Sequence, residues 1–502
     1  MFRFVVDPTQ TVTESLFLLR ELSGPFKGTY PVLISSQPMG WDRRKPIASP
    51  AVLYKVDLDI EASAKEAVKV RATETYRTLV PGLRVLQLDL LSPDENLPLG
   101  RGGRTPYRLR SVKDSNGKDL PFDHRRGNAL VILPTPLAAG DSVTLTFEME
   151  GDLLIHPGGD NYWHLGVAPW FPMPESLDGQ FFTLTARVSV PKPYTPFASG
   201  LTVGRESTGD RNILRVRMDT PTQFFIAHAG TYRVQEKTKD GVTVRIATYA
   251  NEASDPSRLI NLTFQIMEFY KRTLGPFPYP EFNILQMNEW GYGQAPPATM
   301  LITNEAFQRI QGMDSVYTDE EGISHVIPDF ERAIKKGVNF RFAHEIAHQY
   351  WGHVVKMPNR EEQWITESFA NISALLAIRQ FRSKGESAYE GQISSWKSRA
   401  ELAKEASSIA MANRLFTWPP RESSLRRQAL IYDKGAYLLT HVQSKVGEGR
   451  FITFLRTLLG AKGWNFATTQ DVLDTLKATT SQDFTSLFEA CYWGTAMPED
   501  LK

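Results

Sequence analysis

The strongest constraint on the fold comes from two imidazoles and one carboxylate in the segment FRFAHEIAHQYWGHVVKMPNREEQWITESF, residues 340–369. His344 and His348 lie four residues apart in the pattern H-E-x-x-H, and Glu367 follows after eighteen intervening residues. In a helix over residues 338–352, the two imidazoles lie one turn apart on the same face. The spacing therefore predicts one helix that presents both histidines and a second helix that returns a carboxylate to them.

The segment between these side chains, Lys356-Met357-Pro358-Asn359, is poor helix material, because proline breaks the hydrogen-bond ladder and asparagine favours turns. A first helix that ends near Gly352 and a second that begins near Trp364 would bring Glu367 back to the histidines. Zinc is bound by histidine and carboxylate groups, and a catalytic zinc site uses three protein ligands and keeps a fourth position open. The pattern predicts one Zn2+ per chain, bound by these three side chains.

Glu345 directly follows the first histidine and therefore points about a quarter turn away from it along the helix. This direction keeps its carboxylate off the metal and places it near the attacking water, where the general base of a zinc hydrolase belongs. We therefore predict that Glu345 is a catalytic residue.

These residues resemble peptidase family M1, the aminopeptidase N family of gluzincin metallopeptidases, whose signature is H-E-x-x-H, eighteen residues and E. Residues 347–352, AHQYWG, are similar to the family's A-H-Q-W-F-G, and residues 364–370, WITESFA, are similar to its W-L-N-E-G-F-A. Residues 432–436, YDKGA, are similar to the family's Y-x-K-G-a, whose tyrosine stabilises the oxyanion. The resemblance implies a zinc-dependent peptidase with a peptide substrate and with Tyr432 as a second catalytic residue.

One stretch departs from the family pattern, in which G-A-M-E-N lies on an edge strand ahead of the zinc helix and its glutamate binds the amino terminus of the substrate. The corresponding residues 291–303 read GYGQAPPATMLIT, so that Pro296 or Pro297 stands in place of the glutamate. Proline carries no charge to pair with an ammonium group. We therefore predict altered recognition of the amino terminus. Glu289 and Glu305 lie nearby and could substitute, although a solvent-facing position is more usual for glutamate.

The glycines of this stretch fit an edge strand that pairs with a peptide backbone, because such pairing requires close approach. The predicted substrate-binding residues are Gly291, Tyr292, Gly293 and Gln294.

The apolar residues change their period along the chain, which predicts the fold class. In residues 54–61 and 143–150 apolar and polar residues alternate, as expected for half-buried strands, whereas residues 255–274 show helical spacing. A chain of 502 residues is too long for a single core. We predict a multidomain α+β protein with an N-terminal extension at 1–47, an antiparallel β domain at 48–240 and a mainly helical catalytic domain at 241–502. Within the extension, we predict a short helix around residues 13–22.

The family resemblance implies more detail for both domains. It implies a twisted β-saddle for the N-terminal antiparallel domain and a thermolysin-like zinc peptidase domain for the helical part. The sequence ends soon after Pro498, whereas larger relatives continue into domains that roof the active site. An open cleft is therefore expected.

The composition bounds the partners. A net charge of +1 gives no reason to expect nucleic acid or an anionic membrane as a partner. No apolar run approaches the ~20 residues that cross a bilayer, so no membrane span is expected. The single cysteine, Cys491, excludes an intramolecular disulfide and fits a reducing, cytoplasmic location, although a removed signal peptide is compatible with the sequence. Nothing in the sequence indicates an oligomeric state.

Three functions fit these observations. The first is an aminopeptidase-like enzyme with altered amino-terminus recognition, and the second is an endopeptidase or oligopeptidase with an open cleft. The third is a non-catalytic, zinc-stabilised peptide-binding protein. The presence of Glu345 and Tyr432 weighs against the third, because a pure binder needs neither residue.

Overall fold

The computed structural model places most of the chain in two compact units. The first, here called the β unit, comprises Met1–Val234, Ala247–Glu252 and Met287–Glu289, and the second, the helical unit, comprises Gln235–Ile246, Ala253–Gln286 and Trp290–Lys502. The structure describes all residues except 1, 6–13, 23–27, 38–49, 66, 92–104, 126, 155–161, 166–168, 175–180, 224, 250–255, 288–292, 304–314, 319–323, 328–339, 382–384, 415–419 and 501–502. The predicted order, a β-rich N-terminal part followed by a helical part, is confirmed. The exact domain limits stay a prediction.

The first three strands form a small antiparallel sheet: β1 Phe2–Val5, β2 Glu14–Leu22 and β3 Gly28–Gln37. The prediction of a helix around residues 13–22 is therefore wrong. Leu16, Leu18 and Leu19 suit a helix by local propensity, but cross-strand pairing on both sides of β2 overrides that preference.

A seven-stranded sheet in the order β15-β16-β13-β4-β5-β10-β7 is the largest element of the β unit. Its strands are β4 Ala51–Ala62, β5 Ala67–Thr78, β7 Arg108–Asp114, β10 Ser142–Asp152, β13 Phe182–Pro191, β15 Leu201–Thr208 and β16 Arg211–Thr222. The expectation of a wholly antiparallel domain is wrong at one place, because β13 lies parallel to β4. These two strands are far apart in sequence, so no hairpin forces opposite directions on them.

Two smaller sheets complete the β unit. One has the order β12-β6-β9-β8 and the other the order β11-β17-β14. Their strands are β6 Leu83–Asp89, β8 Phe122–Arg125, β9 Asn128–Leu137, β11 Tyr162–Leu165, β12 Met173–Pro174, β14 Thr195–Ala198 and β17 Ala227–Gly230.

Another sheet has five strands in the order β18-β19-β20-β22-β21. Its strands are β18 Tyr232–Lys239, β19 Val242–Tyr249, β20 Glu281–Met287, β21 Gly293–Gln294 and β22 Thr299–Thr303. The short strand β21 lies at the edge and pairs antiparallel with β22. Two further pairs are β23 Ser315–Thr318 with β24 Ser324–Ile327, and β25 Val355–Lys356 with β26 Asn465–Phe466.

The second unit is mainly helical, as predicted, and its first helix matches the helical spacing of residues 255–274. Its helices are α1 Pro256–Thr273, α2 at residues 340–347, α3 Gln363–Phe381, α4 Gly385–Ala403, α5 Pro420–Gln428, α6 Gly435–Val446, α7 Glu448–Lys462, α8 Thr469–Thr480 and α9 Thr485–Phe488. A π-helical turn, Ala429–Lys434, joins α5 to α6. In the described part of the chain, no helix is both long and apolar enough to cross a membrane.

Buried tryptophans join the two helices that carry the H-E-x-x-H segment and Glu367. Trp351, just after α2, packs on Phe369 of α3 with 4.8 Å between ring centroids, and its Nε1 donates to Ser373 Oγ at 3.0 Å. Trp364 is also fully buried and contacts Phe369 and Tyr492. Each such aromatic pair contributes about 0.5–1.5 kcal/mol beyond its buried area. The aromatic core therefore fixes how α2 faces α3.

Candidate active site

Helix α2 is held in the core by its apolar side chains. Phe342, Ile346 and Ala347 are fully buried, and the carbonyl of Ala343 accepts a hydrogen bond from Tyr270 Oη at 2.7 Å. The helical hydrogen-bond pattern continues to the second histidine, because His348 N donates to His344 O at 3.1 Å. Both imidazoles therefore lie on one face, as predicted from their spacing of four.

The chain reverses between α2 and α3 where the sequence predicted a turn. Gly352 adopts φ 123°, a conformation that suits glycine at the end of a helix. Asn359 then caps a 3-10 turn over Arg360–Glu362 by accepting from Glu362 N at 3.1 Å, and α3 continues from it. Glu362 fixes this start, since its carboxylate accepts from Thr469 N and Oγ1 at 3.0 and 2.6 Å. Glu367 is thereby placed in the second turn of α3.

The three predicted ligands converge. Nε2 of His344 lies 3.0 Å from Nε2 of His348, and Oε2 of Glu367 lies 3.6 Å and 3.2 Å from these two nitrogens. All three side chains are largely buried, with 11 to 14% of their surface exposed. Among the described residues, these three form the group of His, Cys, Asp and Glu side chains that could hold a metal ion.

This arrangement fits zinc. Ligands at about 2.0–2.1 Å in tetrahedral directions lie roughly 3.3 Å from one another, which is close to the three observed separations. His348 Nδ1 lies 3.0 Å from the carbonyl oxygen of Trp351. A carbonyl can only accept, so Nδ1 donates and Nε2 is the nitrogen available to a metal. Nδ1 of His344 is buried and has no hydrogen-bond partner among the described residues.

The charges of the ligand group are strongly coupled. Burial lowers the pKa of His348, but the carboxylates of Glu367 and Glu345 outweigh this effect and raise it to about 9. Burial raises the pKa of Glu367, yet the two histidines hold it well below its usual range. Without metal, the group therefore keeps a proton that a cation would have to displace.

Glu345 lies beside the ligands and against the edge strand. It is 5% exposed, and burial raises its pKa while the two histidines and Arg341 counteract that shift. Gly293 of β21 packs against it so closely that a Cβ at this glycine would lie 2.5 Å from Glu345 Oε1. The carboxylate that was predicted to act as a base therefore faces the strand that was predicted to bind substrate.

Tyr432 lies on the π-helical turn, and α3 holds this turn in place. Ser368 Oγ donates to the carbonyl of Ile431 at 2.6 Å, and Asn371 Nδ2 donates to the carbonyl of Tyr432 at 2.9 Å. A Cβ on Gly435 would overlap Ser368 Oγ, so a glycine is required where α6 begins. The Tyr432 ring lies 6.3 Å from the His344 ring, centroid to centroid. The sequence did not identify Ser368 and Asn371, because their partners are backbone carbonyls.

Part of the chain matches a known protein family. Residues 259–491 match the model of the peptidase family M1 domain. This part of the chain belongs to peptidase family M1. The family predicted from the sequence is thereby confirmed, and the matched residues include the three predicted ligands, Glu345 and Tyr432.

Curated proteins similar to this chain include aminopeptidases. Aminopeptidase M1-C of Oryza sativa subsp. japonica is 23% identical over 240 residues, which cover 48% of this chain and 25% of that protein. Aminopeptidase N of Lactococcus lactis subsp. lactis is 21% identical over 264 residues, which cover 50% of this chain and 28% of that protein. The chain thus spans about a quarter of the length of the curated relatives that it matches.

The fold extends beyond the M1 domain. The structure of an M1 zinc metallopeptidase mutant from Deinococcus radiodurans, bound to a Tyr-Ser-Ala substrate, matches with a TM-score of 0.66 and 17% identity. The match covers 91% of this chain and 98% of that one, so both share the fold of the β-rich and the helical parts.

The remaining predicted residues of the M1 domain have mixed outcomes. Gln294 is half-buried and pairs with Leu301, while Gly291 and Tyr292 lie outside the described residues. Glu289 and Glu305, the alternative acidic residues, also lie outside them.

A cavity of 620 Å³ adjoins Tyr432 in the M1 domain. Its lining combines aromatic with charged side chains, namely Phe340, Arg341, Trp396, Arg399, Tyr432 and Asp433. Arg399 forms two hydrogen bonds with the Asp433 carboxylate, of 2.7 and 2.8 Å. The site therefore has room for a substrate beside Tyr432.

Proposed function

We propose that the protein is a zinc-dependent metallopeptidase that hydrolyses peptide bonds, and that it is aminopeptidase-like with altered recognition of the amino terminus. The observation that carries this proposal is the convergence of His344, His348 and Glu367 within 3.0–3.6 Å, with Glu345 beside them. We propose these three as the ligands of one Zn2+.

The residues of the chain have distinct roles in the proposed reaction. A bound zinc ion supplies Lewis acidity towards the scissile carbonyl and the attacking water. Glu345 takes the proton of that water and passes it to the leaving amine. Its buried position favours this role, because burial raises the pKa of Glu345 towards the working pH of a general base. Tyr432 donates a hydrogen bond to the developing oxyanion, a contribution of about 3 kcal/mol.

The edge strand supplies substrate contacts in this proposal. Gly293 and Gln294, with Gly291 and Tyr292 before them, pair with the peptide backbone by strand addition. The turn that follows, residues 295–299, carries no carboxylate, which supports an altered recognition of the substrate ammonium group. For the fold, we propose a β-saddle at residues 48–240 and a thermolysin-like domain at residues 241–502.

Glu345→Gln tests the catalytic role. The glutamine keeps the size of the side chain but cannot accept the proton, so kcat is expected to fall about 100- to 10,000-fold with zinc content unchanged. Peptide hydrolysis by zinc-loaded protein, together with metal analysis, provides the measurement. Near-normal turnover in this variant would remove Glu345 from the mechanism.

A peptide and its N-acetylated twin distinguish the modes of cleavage. We expect single residues to be released from the free peptide, and acetylation to lower kcat/KM only about tenfold. A buried ion pair to the amine, worth about 2–5 kcal/mol, would make that loss larger than about thirtyfold. Equal internal cleavage of both peptides would instead identify an endopeptidase. No cleavage of a broad peptide mixture would identify a peptide-binding protein.

A further inference from the structure

The turn between the two edge strands has a strained backbone. Residues 296–299 form a type II turn, in which Thr299 N donates to Pro296 O at 3.0 Å and Ala298 adopts φ 55°. This left-handed conformation costs an alanine about 1–2 kcal/mol. Such strain persists only where the surroundings determine the conformation.

One glutamine side chain forms several of the hydrogen bonds that hold this turn. Gln349 directly follows the second zinc-ligand histidine and is fully buried. Its Oε1 accepts from Ala298 N at 3.0 Å, and its Nε2 donates to Pro296 O at 3.2 Å and Thr299 O at 3.3 Å. A single side chain thus contacts three backbone groups of the turn.

A histidine holds the residue just before the turn. His353 Nε2 donates to the carbonyl of Ala295 at 2.7 Å. Burial lowers the pKa of His353 to about 3, so the ring is neutral at any working pH. A neutral ring with its proton on Nε2 is the form that this hydrogen bond requires.

The edge strand is paired along one side of its backbone. Gly293 and Gln294 pair with β22, and β21 ends the strand order of its sheet in the described part of the chain. Ala295 follows immediately, so a hydrogen bond to its carbonyl limits how far Gly293 can move from Glu345. The side chains of Gln349 and His353 therefore connect the segment that carries the metal ligands to the strand proposed to bind substrate.

We infer that Gln349 and His353 are positioning residues that fix the edge strand Gly293–Gln294 against Glu345 through hydrogen bonds to the backbone of residues 295–299. The inference rests on the proposed peptidase function, in which this strand binds the substrate backbone. In this role the turn supports the edge strand. The carbonyls of Ala295, Pro296 and Thr299 already accept hydrogen bonds from these two side chains.

Gln349→Leu tests the inference, with Gln443→Leu as the matched control. Gln443 is also a buried glutamine of the helical unit, 5% exposed, but its Oε1 accepts from Tyr389 Oη at 2.9 Å on α4. With tri-alanine as substrate, Gln349→Leu should raise KM at least tenfold, change kcat less than threefold and keep full zinc content. Gln443→Leu should leave both kinetic constants unchanged.

Gln349→Glu adds a readout that a loss of packing would not produce. The introduced carboxyl group, when protonated, can still donate to the carbonyl of Pro296 or Thr299, whereas the ionised carboxylate repels both carbonyl oxygens. The KM of this variant relative to wild type should therefore rise as the pH increases. His353→Gln retains an amide donor and should have a smaller effect than Gln349→Leu.

Hydrogen exchange decides the question independently of turnover. Amides of residues 293–303 should exchange at least tenfold faster in Gln349→Leu than in wild type, and at the wild-type rate in Gln443→Leu. Unchanged exchange, an unchanged KM, or equal effects of both substitutions would overturn the inference. A wild-type protein without hydrolytic activity would refute the proposed function, while faster exchange in Gln349→Leu would still establish the structural connection.

Discussion

The contact between Gly293 and Glu345 leads to a prediction about a single methyl group. A Cβ at residue 293 would lie 2.5 Å from Oε1 and 3.0 Å from Cδ of Glu345. Because these atoms belong to a flexible side chain, Gly293→Ala should displace the carboxylate and leave the fold intact. We expect kcat to fall at least tenfold and the unfolding free energy to change by less than about 1 kcal/mol. Steady-state kinetics and denaturant unfolding give the two values.

Gly391→Ala is the control for that substitution. A Cβ at Gly391, in helix α4, has no neighbouring atom of the described residues within 4 Å. This change should leave kcat unaltered and stabilise the helix by about 0.5–1 kcal/mol. If Gly293→Ala also retained wild-type kcat, the position of Glu345 would not depend on the edge strand.

Residues whose partners are side chains at a fixed helical spacing could be found in the sequence. His344, His348 and Glu345 lie within one helix, and the turn residues before α3 allow Glu367 to return, so the H-E-x-x-H pattern located the group. The role of Gln349 could not be predicted from the sequence, because its partners are backbone atoms about fifty residues earlier in the chain. Side-chain identity does not determine where a backbone carbonyl lies.

At the scale of elements, strand β4 shows where a period of two fails. Alternation predicted that Tyr54, Val56, Leu58 and Ile60 share one face. The last three are buried, but Tyr54 is only partly buried and Leu53 takes its place in the core. The register with β5 shifts between Leu53 and Lys55. Because of this irregularity, the residues before it turn their side chains to the opposite face from the one that the alternation predicts. Such an irregularity depends on the partner strand and leaves no pattern within β4.

The π-helical turn at Tyr432 is a second element that periodicity could not reveal. Its six residues, Ala429–Lys434, separate helix α5 from helix α6. A π turn leaves helical carbonyls for other donors, and here Ser368 and Asn371 of α3 bind them. The interruption therefore originates in tertiary contacts.

Strand β5 contains a buried acid with a consequence for stability. Glu74 is fully buried, and Tyr76 Oη donates to its Oε2, while its Oε1 has no hydrogen-bond partner among the described residues. Burial raises the pKa of Glu74 well above 4.5. A carboxyl with a raised folded pKa contributes stability that is fully present below the unfolded pKa and is lost as the pH rises towards the folded pKa.

The stability of the Glu74→Gln variant relative to wild type should therefore increase with pH. Relative to wild type, the variant is expected to gain about 1.4 kcal/mol of stability per pH unit above about pH 5, until the folded pKa is reached. Denaturant unfolding of the β unit at several pH values between mildly acidic and mildly alkaline conditions measures this gain. Glu148→Gln, an exposed glutamate on the adjacent strand β10, is the control. A constant difference between Glu74→Gln and wild type would show that Glu74 does not control this dependence.

At the scale of the whole molecule, the spacing of apolar residues indicated a β-rich part followed by a helical part, and the structure has that order. It could not indicate that β13 lies parallel to β4, because strand direction depends on long-range pairing. It also could not assign Ala247–Glu252 and Met287–Glu289 to the β unit.

Because the chain has two compact units, we expect each unit to unfold in its own transition. A bound metal should stabilise only one of these transitions. All three proposed ligands belong to the helical unit, so removal of zinc by a chelator should lower the unfolding temperature of that unit and leave that of the β unit unchanged. With free zinc at about 1,000 times Kd, chelation should remove about 4 kcal/mol of stability from the helical unit, which lowers its Tm by roughly 8–16 °C. Scanning calorimetry with and without a chelator measures it.

The same calorimetric difference should depend on pH and on the ligands. The pKa of His348 is about 9 without metal, so zinc must displace a proton from it at neutral pH. The stabilisation by zinc should consequently increase as the pH rises from about 6.5 to about 8.5. His348→Phe removes a ligand and should make the helical transition indifferent to the chelator. If chelation instead lowered both transitions equally, or if the variant still responded, the ion would have to be bound by groups other than His344, His348 and Glu367.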